Sequence, residues 1–272
     1  MPTFLKGEIM KNNNNPSWFS KAMFKILVPV VRFFFGKNEI TGIEKIPKTD
    51  AIIVANHCQM AGPLVAEFYM PKHIYTWCAG DMMSLSTVPS YAFSDFWSQK
   101  PKWTHPLYKI LSYLIAPLAV CIFNNARTIA VHRDTRILGT FKKTVKFLEG
   151  GKNILIFPEK DEKYNNIIYT FQENYIDLAK LYHKKTGRAL SFVPLYIAPT
   201  MRKSFVGEGV IFNPDADFKE EKKRINAFLS EEITSIARAL PEHIVVPYRN
   251  MPKKYYISNK DFEEVPNEKA KC

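Results

Sequence analysis

The sequence predicts an α/β fold, with a single mostly parallel sheet flanked by helices and an amphipathic helix at the N-terminus. Short apolar runs alternate along the chain with segments of helical spacing, which is the pattern of a parallel sheet covered by helices. Several of these runs end abruptly at polar residues, as strands do at the ligand-binding edge of such a sheet. The 272 residues, of which 46% are hydrophobic, are enough for a sizeable core.

Three parts are predicted along the chain. Residues 1–37 hold a polar N-terminus followed by an amphipathic helix over 17–35, residues 38–240 form the α/β domain, and residues 241–272 form a C-terminal tail. The helix is rich in aromatic side chains but carries three cations and Pro29, so it is expected not to span a bilayer. It either lies at a membrane interface or packs on the domain core.

The strands and helices are predicted from periodicity and from Gly and Pro positions. The predicted strands are Glu39–Ile46 at an edge, Ala51–Ala55, His73–Cys78, Thr128–His132, Asn153–Phe157 and Ser191–Ala198, the last broken at Pro194. The predicted helices are Leu64–Met70, Asp134–Glu149, Gln172–Lys185 and Ala216–Leu240, with a helix-and-loop excursion over Gly80–Trp103. The apolar run Leu107–Phe123 is expected to be divided by Pro117 into a helix and a strand, and Lys203–Phe212 to form a hairpin about Gly207–Gly209.

Charge and cysteine usage limit the classes of partner. The formal net charge of +12 favours an anionic partner such as a lipid surface, a phosphorylated metabolite or an acidic carrier protein. Nucleic acid is not expected, since no zinc-finger, RNA-binding or basic-heptad pattern is present. The four cysteines form no C-x-x-C pair, and the first 16 residues lack the apolar core of a secretory signal, so a reducing, cytoplasmic setting is predicted. No metal site and no cofactor are predicted.

Polar residues follow three of the predicted strands, and they are the candidates for chemistry. Asn56 and His57 follow the first buried strand, Arg133 follows another, and Glu159 follows a third after Pro158. Because the carboxyl ends of parallel strands share one edge, we expect these groups to converge. They would supply a base, a cation for phosphate and an acceptor for hydroxyl groups.

The order of these blocks resembles the glycerolipid acyltransferase family, which includes 1-acyl-glycerol-3-phosphate acyltransferases. The resemblance covers about residues 40–199 and rests on four blocks: Asn56-His57, residues 129–133, residues 156–159, and residues 192–195. It implies transfer of a fatty acyl group from acyl-CoA or acyl-carrier protein to a lysophospholipid or glycerol-phosphate-type hydroxyl. It also implies His57 as general base, Arg133 and Glu159 as acceptor-binding residues, and Asn56, Pro158 and Pro194 as supporting residues.

The sequence departs from the family pattern at two places. Gly62 stands where the family has the aspartate that orients the histidine, and residues 160–162 replace the Gly-Thr-Arg of the third block. Lys160, or Lys163, would restore positive charge there as a point charge. Without the aspartate the His57 ring needs another partner. The candidate carboxylates are Glu67, Asp81, Asp95 and Glu159.

The leading interpretation is therefore an acyltransferase peripheral to the cytoplasmic face of a membrane, with an anionic membrane surface as partner. One alternative is a catalytically silent relative that binds lipid or carrier protein. Another is an acyltransferase that acts on an acceptor without phosphate. A thiol nucleophile at Cys58 is a minor alternative, because neighbouring side chains at a strand end point apart. The group that hydrogen-bonds the His57 ring should discriminate: a carboxylate favours catalysis, and an apolar wall favours the silent relative.

Overall fold

A computed structural model of the chain describes residues 16–132, 134–160, 162 and 166–261. The helices in this part of the chain are α1 (Trp18–Phe35), α2 (Ala61–Phe68), α3 (Val88–Ala92), α4 (His105–Asn125), α5 (Ile137–Glu149), α6 (Asp177–Thr186) and α7 (Phe218–Ala239). The strands are β1 (Glu39–Thr41), β2 (Ala51–Ala55), β3 (Ile74–Ala79), β4 (Thr128–Val131), β5 (Asn153–Ile156), β6 (Ser191–Ala198), β7 (Lys203–Val206) and β8 (Val210–Ile211).

All the strands belong to one sheet, in the order β1-β7-β6-β2-β5-β3-β4, with β8 paired to β6. Only the β6–β7 and β6–β8 pairs are antiparallel; the other described pairs are parallel. The predicted α/β class with a mostly parallel sheet is confirmed. Strand β2 lies between β6 and β5 and is buried at every position, which explains its uninterrupted apolar sequence.

Alternate side chains of the central strands support two separate layers of helices. Ile52 and Val54 of β2 point to the face covered by α5, α6 and α7, whereas Ala51, Ile53 and Ala55 point to the face covered by α2. This alternation follows from the two-residue period of a strand. Beyond the sheet edge, α3 and α4 form a smaller cluster of their own around Val88, Ala92 and Ala116.

Two predictions about proline and glycine are wrong. Pro117 lies inside α4, which is one continuous helix of 21 residues and not a helix followed by a strand. The segment predicted as a hairpin about Gly207–Gly209 instead forms β7 and β8, which both pair with β6 and are separated by a one-residue change of register. That change is the mark of a β-bulge.

Pro194 does not break β6, because it lies opposite this bulge. Its carbonyl accepts a hydrogen bond from the amide of Gly207 at 3.0 Å. In a strand, the amide and the carbonyl of one residue face the same neighbouring strand. The nitrogen of Pro194, which carries no hydrogen, therefore faces the bulge, where the regular hydrogen bonds between strands are interrupted in any case.

The N-terminal helix contacts α4, and none of its residues is fully buried. The side-chain Nδ2 of Asn125 on α4 donates to Ser20 Oγ on α1 at 2.8 Å, and this hydrogen bond joins the two helices. Their outer faces expose large apolar side chains, such as Trp18, Phe33 and Phe34 on α1 and Leu107 and Tyr113 on α4. Residues 102–125, with a mean hydropathy of 1.7, are long and apolar enough to cross a membrane by length and composition alone.

The C-terminal segment from 241 to 261 packs on the α/β domain. His243 is buried and its Nε2 lies 2.8 Å from the hydroxyl of Tyr196 on β6. The buried Asn259 donates to the carbonyl of Ala237 at the end of α7. This segment therefore belongs to the structural unit that holds the candidate site.

Candidate active site

The candidate site lies at the carboxyl ends of β2 and β5, which are adjacent strands. The backbone amide of His57 donates to the Oε2 atom of Glu159 at 2.5 Å, and the amide of Tyr169 donates to Oε1 at 3.0 Å. The predicted convergence of His57 and Glu159 is thus observed in the structure. Glu159, however, contacts the backbone of His57 and not its ring.

Asn56 fixes the direction in which the chain leaves β2. Its Oδ1 accepts from the amide of Ile197 at 2.7 Å, and its Nδ2 donates to the carbonyl of Ile197 at 3.0 Å. The side chain thereby continues the pairing of β2 with β6 after the strand has ended. Because the side chain of Asn56 is buried, these hydrogen bonds satisfy its polar atoms and hold the chain beside β6.

The turn after His57 is built from two consecutive left-handed residues. Cys58 and Gln59 have φ values of 49° and 54°, and the amide of Gly62 donates to the carbonyl of His57 at 3.1 Å. A left-handed conformation is unfavourable for residues with a β-carbon, by about 1–2 kcal/mol each. Such backbone conformations occur most often at functional sites.

This turn explains the glycine at position 62. A β-carbon built on Gly62 would overlap the carbonyl oxygen of His57 and lie 3.0 Å from the Phe157 ring. The overlap is with backbone, so a rotamer change cannot relieve it. An aspartate at this position is therefore incompatible with the turn.

Aromatic rings enclose the His57 imidazole. The rings of Phe157 and Tyr248 lie on it edge-to-face, each with a centroid distance of 5.1 Å. Tyr248 belongs to the C-terminal segment, which Gln59 anchors by donating to the carbonyl of Arg249 at 3.1 Å and to the hydroxyl of Tyr256 at 2.8 Å. No sequence pattern indicates Tyr248, because a single tyrosine about 190 residues from the histidine shares no motif with it.

Within the described residues, the Nδ1 atom of His57 is buried and has no hydrogen-bond partner. Burial lowers the pKa of His57 to about 4, and a polar interaction with the backbone of Gln59 opposes this effect. None of the four candidate carboxylates hydrogen-bonds Nδ1, and Glu67 instead accepts from the amide of Arg127. At Nδ1 the ring thus meets no carboxylate, which is the outcome that favours the silent relative.

Glu159 is buried, and the pKa of its carboxyl group is shifted upward. Burial raises its pKa to about 7, although the amides of Tyr169 and His57 favour the ionised form. Around it, residues 158–160 pair with residues 170–172: the amide of Lys160 donates to Thr170 and that of Gln172 donates to Pro158. Pro158 is buried, whereas Lys160 is exposed and does not itself line the cavity described next.

A cavity of about 650 Å³ opens on His57 and Glu159. Its lining continues along apolar side chains of α1, α2, β3, α4 and α5, including Leu27, Trp77 and Phe141. Its volume is in the range of small-molecule sites. His132 also lines the cavity. The predicted site residue Arg133, which follows it in the sequence, lies outside the described residues.

The alternative of a thiol nucleophile is disfavoured by the surroundings of Cys58. The thiol is buried, accepts from Asn56 Nδ2 at 2.8 Å and lies 3.3 Å from the carbonyl of Ile197. Burial raises the pKa of Cys58 well above its ordinary value, and the nearby Glu159 acts in the same direction. A thiol that resists ionisation is a poor nucleophile.

No protein-family model and no curated protein matches the chain. Among solved structures, the chain is similar to the crystal structure of the 1-acyl-sn-glycerophosphate (LPA) acyltransferase PlsC from Thermotoga maritima. The two are 15% identical over 83% of this chain and 80% of that chain, with a TM-score of 0.45.

Substituting Gly62→Asp should destabilise the protein by at least about 2 kcal/mol, because the new side chain overlaps backbone. Chemical denaturation gives the free energy of unfolding. Gly139→Asp is the matched control, since a β-carbon at Gly139 meets nothing within 4 Å. Equal stability of the two variants would contradict the assigned geometry of the turn.

The two shifted pKa values predict opposite pH dependences of stability. The lowered pKa of His57 means that stability is lost as the pH falls from about 6.5 to 4, by roughly 3 kcal/mol when the ring is fully desolvated. The raised pKa of Glu159 means that stability is lost as the pH rises from about 4.5 to 7.

Glu159→Gln should therefore lose stability more steeply than the unmodified protein as the pH falls from 6.5 to 4.5, since only the histidine contribution remains. The melting temperature measured across this pH range checks the prediction. Parallel pH profiles for the two proteins would show that Glu159 titrates normally.

Proposed function

We propose that the protein is a divergent glycerolipid acyltransferase, which moves a fatty acyl group from acyl-CoA or acyl-carrier protein to a lysophospholipid or glycerol-phosphate-type hydroxyl. The observation that carries the proposal is that the strand-end histidine of the four sequence blocks lines a cavity of about 650 Å³ whose walls are largely apolar. Such a cavity suits an acyl chain whose reactive end lies beside His57.

In this mechanism the neutral His57 accepts the proton of the acceptor hydroxyl as its oxygen attacks the thioester carbonyl. The tetrahedral intermediate collapses with loss of the thiolate, which takes the proton back from the imidazolium. The low pKa of His57 keeps the ring neutral and able to accept a proton at pH 7, although it also makes the ring a weak base. Backbone amides at the strand ends would stabilise the oxyanion.

Glu159 supports this reaction by positioning. Both of its oxygens accept backbone amides, so it holds the peptide of His57 and the chain at Tyr169 in fixed relation. This role differs from the acceptor binding that the family resemblance implies. Arg133 and Lys160 remain proposed acceptor-binding residues.

The α1 and α4 helices favour a membrane surface as the location of the reaction. Their exposed Trp, Phe, Leu and Tyr side chains form an apolar face, and lysine and arginine side chains occur on the same helices. This combination binds anionic interfaces. The proposed location is peripheral, at the cytoplasmic face of a membrane.

The catalytically silent relative is the second candidate, and the surroundings of His57 favour it. The ring has no carboxylate at Nδ1 within the described residues, and two aromatic rings enclose it. A site of this kind would bind the acyl chain of a lipid or carrier without turnover.

An acceptor without phosphate is a further candidate for the catalytic case. Four carboxylates, those of Glu67, Asp81, Asp95 and Glu159, line the described part of the cavity, which includes no lysine or arginine. A phosphate group would be repelled by this wall unless Arg133 offsets it.

Acyl transfer by the purified protein should be measured with palmitoyl-CoA and palmitoyl-acyl carrier protein as donors. The acceptors should include lysophosphatidate, glycerol 3-phosphate and an uncharged monoacylglycerol. We expect product, and a loss of at least 100-fold in turnover for His57→Ala, because removal of a general base typically costs 10²–10⁴. Turnover in the unmodified protein excludes the silent relative.

Cys58→Ala is the matched control, since its side chain adjoins His57 in sequence but faces Asn56 and Ile197. It should retain turnover within a few-fold once the protein is shown to be folded. If no acyl transfer is measured with any donor and acceptor, the proposed activity is wrong and the catalytically silent relative is the function that remains.

A further inference from the structure

The outer face of the α5–α6 helix pair is strongly basic. The exposed side chains of α5 recur at helical spacing and are Leu138, Lys142, Lys143 and Lys146. Those of α6 and the residues that follow it are Lys180, Leu181, Lys184, Lys185 and Arg188. The two helices contact each other on the same side of the sheet, so the two rows form one surface, called here the basic face.

Few carboxylates neutralise this face. Lys185 pairs with Glu149 and Arg188 pairs with Asp50, but no ion pair joins Lys142, Lys146 or Lys184 to a carboxylate among the described residues. The neighbouring helix α7 is different, because three of its five cations, Lys222, Lys223 and Arg224, are each paired with an acid. Unpaired positive charge is thus denser on the basic face than on α7.

The basic face and the cavity share helix α5. Ile137 and Phe141 lie on the same helix as Lys142 and line the cavity beside His57. A partner bound to the exposed side of α5 would therefore lie close to the chamber that we assign to the acyl chain.

We infer that the basic face docks an acidic acyl carrier protein, which delivers its acyl chain to the cavity; the identity of this partner rests on the proposed function. The face extends over two helices and includes two exposed leucines, Leu138 at 65% and Leu181 at 44% exposure. Cations surrounding apolar side chains suit a protein surface of complementary charge. A lipid surface instead matches α1 and α4, which expose a wide apolar face with aromatic residues.

The test is binding of palmitoyl-acyl carrier protein to the full chain by surface plasmon resonance at low and at physiological ionic strength. Lys142→Glu combined with Lys146→Glu should weaken binding at least tenfold at low ionic strength, and Lys142→Gln combined with Lys146→Gln should weaken it less. The control is Lys45→Glu combined with Lys203→Glu, which makes the same change in charge near β7, away from α5 and β5. It should change binding less than threefold.

Transfer from palmitoyl-CoA separates this inference from the proposed function. The α5 variants should keep that activity while losing transfer from the carrier protein. Equal binding by the α5 variants and the control would overturn the inference. The inference would also be overturned if the Lys142 and Lys146 variants bound anionic phospholipid vesicles more weakly but bound the carrier protein as the unmodified protein does. If the unmodified protein bound the carrier through α5 but transferred from neither donor, the docking face would stand and the proposed function would fail.

Discussion

The carboxylate of Glu159 is the interaction on which the geometry of the site depends. One oxygen accepts the amide of His57 after β2, and the other accepts the amide of Tyr169 after the loop that follows β5. A single buried side chain thereby joins two strand ends and one loop. Its burial costs free energy, which is why its pKa is raised to about 7 despite two amide donors.

Around this connection the turn from residue 57 to residue 62 has its own structure. Asn56 extends the pairing with β6, Cys58 and Gln59 adopt left-handed conformations, and Gly62 closes the turn against the carbonyl of His57. The glycine at position 62 is thus part of a coherent local structure. The histidine is held by its backbone and by aromatic contacts instead of by a carboxylate on its ring.

The C-terminal segment gives the site a second covering layer. Gln59 holds it through Arg249 and Tyr256, and Tyr248 then lies over the imidazole. The same burial that lowers the pKa of His57 also covers part of the ring. Exclusion of water strengthens electrostatic interactions in a reaction site, so the enclosure is compatible with turnover as well as with silent binding.

The sequence by itself determined the α/β class, most helices and strands, and the meeting of His57 with Glu159, because periodicity and strand ends are local patterns. It did not determine that α4 continues through Pro117 and β6 through Pro194. Whether a helix or strand tolerates a proline depends on whether a hydrogen bond is needed at the nitrogen that carries no hydrogen. Only the tertiary structure placed Tyr248 on His57, excluded a side chain at Gly62 and gathered the lysines of α5 and α6 on one face. These features join residues far apart in the chain, and their proximity is fixed by packing of the whole domain.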